Sequence, residues 1–122
     1  MNATITGPSF IALQVRDVEA AAAFYEHNLG LTRAPQGPPG AAVFQTAPIP
    51  FAVRPPTEGT DLDGGQPGLG VVLWLQADDL DEVERHLSAN SVEIPQPPFQ
   101  TPFGRALVLR DLDGYLVTVH ER

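Results

Sequence analysis

The sequence predicts an α+β fold built from two tandem, similar modules, on three observations. The segment Phe10–Asn28 reappears 62 residues later as Val72–Asn90, with Leu13 matching Leu75, Asp17 matching Asp79, Val18 matching Leu80, Glu19 matching Asp81 and Asn28 matching Asn90. In each copy a short apolar run passes through an aspartate into apolar residues at helical spacing. After each helix come further short apolar runs separated by Gly- and Pro-rich turns. One such unit cannot bury its apolar face alone, so two copies packed together make a core with a cleft between them, and the cleft is where function is to be sought.

The elements follow in chain order. Phe10–Val15 is a strand with two faces, Ile11, Leu13 and Val15 alternating with Phe10, Ala12 and Gln14. Asp17 caps a helix whose apolar positions Val18, Ala22, Tyr25 and Leu29 run to the terminating Gly30. Pro35–Gly40 is a loop, and Ala42–Thr46 and Phe51–Arg54 are short strands. Pro55–Gly70, with three prolines and five glycines, joins the halves. Val71–Gln76 restarts the pattern as a strand, Asp79 caps a helix carrying Leu80, Val83 and Leu87, and Val92–Ile94 is a short strand. A proline-rich connection through Pro102 leads to Arg105–Leu109, an Asp113-Gly114 hairpin turn and Leu116–His120. The expectation is therefore a single domain, 1–122, of two pseudo-repeats at about 8–54 and 70–121 with a linker at 55–69.

Composition narrows the function classes. The 122 residues include no cysteine and no lysine, which removes disulfides, thiolate nucleophiles, zinc-thiolate sites and Schiff-base chemistry. A net charge of −8 argues against nucleic acid and would favour a cationic guest. There is neither an 18-residue apolar run nor a signal-peptide pattern, so the expected setting is the cytoplasm, with no membrane association. No serine lies in a Gly-x-Ser-x-Gly setting, and the glycines at 64–70 lack the lysine of a phosphate-binding loop.

Three stretches carry a family resemblance: the strand Phe10–Val15 leading to Asp17; Phe24-Tyr25 with Leu29-Gly30-Leu31 after it; and Phe103-Gly104-Arg105 ahead of Asp111-Leu112-Asp113-Gly114-Tyr115. In this order, over nearly the whole chain, they resemble the vicinal-oxygen-chelate superfamily of glyoxalase I, extradiol dioxygenases, fosfomycin-resistance enzymes and bleomycin-resistance proteins. The family usually has proline where Leu112 stands. The resemblance implies paired βαβββ modules curled into an open half-barrel around a cavity, and a homodimer that completes its cavities across the subunit interface or by exchanging modules. In metal-dependent members four strand positions supply His, Glu or Gln. Here those positions fall on Phe10, Val72, Thr118 and, within a residue or two, Ala52. None can replace a carboxylate or imidazole on a divalent metal, so neither metal nor other cofactor is expected. Glyoxalase, fosfomycin-transferase and extradiol chemistry all need that metal, and none of them is expected here.

The remaining candidates are ligand contacts. Trp74 shares strand parity with Val72 and offers a stacking surface with one N–H donor, and Phe10, the match of Val72, follows the same logic on the first strand. Gln14, Arg54 and Thr118 add polar groups to an apolar pocket, Tyr115 stands at its rim, and His120 has the parity of Thr118. His27 and His86 sit late in their helices, where helix termini account for them. Asp111 and Asp113 are turn formers. The leading expectation is metal-independent binding and sequestration of a small aromatic or cationic compound such as an antibiotic. A metal-free isomerase or cyclising enzyme using Arg54, His120 or Tyr115, and a non-catalytic interaction module, are the alternatives.

Overall fold

The computed structural model describes residues 1–121. Its elements are β1 (Ile11–Gln14), α1 (Val18–Leu29), β2 (Ala42–Phe44), β3 (Phe51–Arg54), β4 (Leu73–Gln76), α2 (Leu80–Ala89), β5 (Gln96–Thr101), β6 (Gly104–Arg110) and β7 (Leu116–His120). The 62-residue offset carries β1 onto β4, residue for residue. It also carries one helix cap onto the other. Asp17 accepts from the Ala20 N–H at 3.0 Å and Asp79 from the Glu82 N–H at 3.1 Å, each satisfying a donor that the first helical turn leaves free. The helix ends differ: α1 stops at Gly30 in a left-handed conformation (φ 67°), whereas in the second copy Ser91 takes the positive φ (59°).

The strands form two open sheets, β1-β3-β2 and β4-β7-β6-β5. In both, the module's first strand pairs in parallel with its last, Ile11 opposite Phe51 and Leu73 opposite Val117. The α+β class is thus observed, with one reduction in the first module. The strand that should follow α1 is only an isolated bridge between Arg33 and Phe44, because Pro35, Pro38 and Pro39 interrupt the chain where a ladder would need N–H donors. The second module departs in the opposite sense. Val92–Ile94 is not a strand, and the proline-rich connection is β5 itself. Pro97 and Pro98 are tolerated because β5 is an edge strand paired only with β6, and its register breaks between Gln96 and Phe99, where the prolines lie.

One face of each sheet packs on its helix. Tyr25, Ala21 and Ala22 of α1 meet Phe44, Phe51 and Val53 in the first core; Leu80 and Leu87 of α2 meet Leu107, Leu109, Val117 and Val119 in the second. Phe24, Leu29, Leu73 and Tyr115 pack against both cores, and the His86 Nε2–H donates to the His27 carbonyl at 2.6 Å, which joins the ends of the two helices. The opposite sheet faces have no helix over them. Large apolar side chains stand exposed there, Phe10 and Val72 among them. No described helix is long and apolar enough to cross a membrane.

Candidate functional site

Period-two geometry sorts every strand residue onto the helix face or the open face. On the open face of the second sheet, Trp74 lies opposite Thr118 and Gln76 opposite His120 in the parallel ladder of β4 and β7. His120 is half-buried, its ring 5.3 Å from that of Trp74 at 69°, and its Nδ1–H donates to the Phe103 carbonyl at 3.1 Å. Nε2 has no protein partner among the described residues. Phe103, on the tight turn between β5 and β6, stands edge-on to Trp74 at 5.8 Å. The three rings border a shallow pocket of about 320 Å³. Phe103 had no place among the ligand candidates because spacing along the chain does not reveal it. The turn before Gly104 swings it back beside β7, where Ala106 pairs with His120.

Two further pockets lie over the open faces. One, of about 460 Å³, is bounded by Val72, Val108, Leu116 and Thr118, with Leu13 at the junction and linker residues 66–71 as a wall. The other, of about 500 Å³, belongs to the first module alone and is lined by Phe10, Ala12, Val43, Ala52 and Arg54 with proline-rich walls. The expected residues therefore divide. Phe10 and Arg54 are together on the first sheet; Trp74 and His120 share one pocket on the second, and Thr118, buried to 5 % exposure, lines its neighbour. Among the described residues, none of these three pockets holds both sets.

Gln14 and Tyr115 are occupied at the seam. The Tyr115 hydroxyl donates to the Gln14 carbonyl at 2.7 Å, and burial pushes its ionisation upward. The Gln14 side-chain oxygen accepts from the Thr57 N–H at 2.8 Å, at the start of the linker. Further along, Arg16 donates to Leu62 and Asp63 of the linker and to Asp113 of the last hairpin turn, while Gln66 donates to the Gly114 carbonyl at 2.7 Å. The linker is thus fastened as a pocket wall. The turn it holds is itself fixed: Asp111 accepts from the N–H groups of Asp113 and Tyr115 and, at 2.5 Å, from the buried hydroxyl of Tyr25. Burial raises the Asp111 carboxyl above its ordinary value, these donors opposing the rise, and burial raises Tyr25 as well.

The metal positions fail a test of donor chemistry. Phe10, Ala52, Val72 and Thr118 offer no carboxylate or imidazole, and among the described residues no three His, Asp or Glu side chains converge. The residues present do not fit the divalent ion of the metal-dependent enzymes. Charge distribution also alters one expectation. None of the 15 acidic residues lies in a strand and none lines these three open-face pockets, whereas a further pocket of about 420 Å³, between Gln14, Tyr115 and the linker, has Asp61 as its one acid.

Two open sheets, each backed by one helix and related by an internal repeat, define the class of protein. The chain belongs to the Glyoxalase/Bleomycin resistance protein/Dioxygenase superfamily, whose model matches residues 7–119. It is similar to a member of that superfamily from Sphaerobacter thermophilus DSM 20745, at 28 % identity over 97 % of this chain and 98 % of that one, with a TM-score of 0.75. TnmS3, an antibiotic-binding protein from Streptomyces sp. CB03234, is 22 % identical over 98 % of both chains, with a TM-score of 0.78. Lactoylglutathione lyase from Agrobacterium tumefaciens is 21 % identical over 98 % of this chain and 96 % of that one, with a TM-score of 0.70. The last two likenesses, one to a binding protein and one to a lyase, establish the fold alone. No curated protein matches the chain in sequence.

Proposed function

We propose that this protein binds and sequesters a small aromatic compound, such as an antibiotic, in the cytoplasm, without a metal. The observation that carries the reading is the corner of Trp74, Phe103 and His120, three rings bordering open volume on the uncovered face of the second sheet. Apolar walls with few polar groups are the usual make-up of a small-molecule site. Binding then rests on burial and ring stacking, the latter contributing about 0.5–1.5 kcal/mol per ring pair beyond the area buried. The proposal includes a homodimer in which an uncovered sheet face of one subunit is closed by the partner. Its support is the exposure of Phe10 (63 %), Val72 (64 %) and Phe103 (63 %), together with the division of the candidate residues between two faces.

Trp74, the only tryptophan, supplies the test. Titration with a panel of aromatic antibiotics, with and without a chelator, should give saturable quenching of its fluorescence that the chelator does not change. Trp74→Ala should weaken binding about tenfold, measured by calorimetry. Unchanged affinity in that variant would remove the stacking argument, and quenching abolished by the chelator would overturn the metal-free reading. Sedimentation of a monomer would remove the dimer.

A further inference from the structure

Resting on that reading of the open faces as ligand sites, we infer that the pocket of the first sheet takes an aromatic carboxylate and that Arg54 is its counter-ion. Six of the seven arginines are described, Arg122 being the other, and five of the six spend their guanidinium groups on carboxylates. Arg16 pairs with Asp63 and Asp113, Arg33 with Glu19 and Glu26, Arg85 with Glu82, Arg105 with Asp81 and Glu121, and Arg110 with Glu93. Arg54 pairs with none. Only its Nε–H is engaged, to the carbonyl of Pro55 at 3.0 Å, and both terminal nitrogens lack a protein partner among the described residues.

Its position gives that free fork a direction. Arg54 ends β3 and lines the 500 Å³ pocket of the first sheet, where every other lining residue is uncharged. In a chain with 15 acidic residues, an apolar pocket without one acid and with one unpaired guanidinium is a local reversal of the protein's charge. Counter-ions screen distant carboxylates beyond about 8 Å at physiological salt, so the nearby cation dominates inside the pocket. A guanidinium presents two parallel N–H donors that match a carboxylate's two oxygens, and the apolar wall of Phe10, Ala12, Val43 and Ala52 accepts the ring system attached to it. No bond is made or broken; the guest is held by an ion pair at one end and burial at the other.

Three probes of one shape separate charge from burial: naphthoate, naphthylmethylammonium and naphthylmethanol, titrated calorimetrically at neutral pH into the whole protein. Naphthoate should bind at least about tenfold more tightly than the other two, a margin that shrinks as salt is raised. Arg54→Gln should level the three affinities and Arg54→Lys should keep part of the preference. Both changes are at an exposed side chain, and an unaltered melting temperature checks the fold. If the ammonium compound binds best, or if the order of affinities survives Arg54→Gln, the inference is overturned while the ligand-site reading stands. If none of the three binds, the first-sheet pocket is not a ligand site and the inference falls with it, while the Trp74 corner is judged by its own titration.

Discussion

Tyr25→Phe removes one oxygen from the interior and should be felt across the whole molecule. Tyr25 is 1 % exposed, and its hydroxyl is one of three donors to the buried carboxylate of Asp111. Phenylalanine fills the same space, so the aromatic cluster with Phe24, Phe44 and Phe51 persists and the cost lies in the lost bond. A hydrogen bond to a charged group contributes about 1.5–3 kcal/mol, so the expected loss is about 2 kcal/mol. With an unfolding entropy of about 2.1 cal/mol/K per residue, 122 residues give about 0.26 kcal/mol/K, and the melting temperature should drop by about 8 °C. Asp111 titrates above its ordinary 3.8 in the folded protein, so the native state holds this proton more tightly than the unfolded chain and loses stability through this group as pH rises across that window. Removing the Tyr25 donor raises the folded value further. The gap between wild type and variant is therefore full where both carboxyls are ionised and should close as pH falls through the variant's folded value. Thermal melts followed by circular dichroism over a pH series measure both effects. A neutral-pH shift below about 2 °C, or a gap that stays constant into acid, would refute the reasoning.

Two other perturbations test separate parts of the fold. Glu121 accepts from the Leu80 N–H at 2.8 Å and pairs with Arg105, and these contacts hold its carboxyl below the usual 4.5. Its contribution is complete above that value and fades as pH falls through the lower folded one, so Glu121→Gln should be destabilised at neutral pH and flatter than wild type on the acid side of its stability curve. Parallel acid limbs would count against this. Gly68→Ala forces an L-residue into φ +72° and brings its Cβ to 3.0 Å from Tyr115 Cδ1, so a loss of about 1–2 kcal/mol is expected in denaturant melts. An unchanged midpoint would mean that the linker wall yields at no cost.

The sequence carried some of this plainly and some not at all. A repeated aspartate before helical spacing is a local signal with a local cause, and Asp17 and Asp79 cap their helices as expected. Strand parity likewise put Trp74 beside Thr118 and His120 on the open face. The prolines of β5 misled, because their effect depends on whether the strand is central or at an edge, and edge status is a property of the completed sheet. Phe103 was invisible as a partner of Trp74 because a turn and an antiparallel register bring them together. The charge argument was incomplete in a different way. Net charge is a sum, and the guest responds to position; the acid-free strands were present in the letters but acquired meaning only when the strands became pocket walls.

The seam between the modules bears on assembly. It is made by Tyr25 with Asp111, Arg16 with Asp113 and Tyr115 with Gln14, pairs that lie 86, 97 and 101 residues apart. None of these bonds depends on the two halves belonging to the same chain; they form wherever a first module meets a second. Chain continuity enters only through the residues between β3 and β4, and they set the effective concentration at which a module meets its own partner and not a neighbour's. The linker is in that sense a length setting, and shortening it until β3 and β4 cannot reach their places would transfer an intact seam to the adjacent molecule, turning one self-contained chain into an exchanged pair.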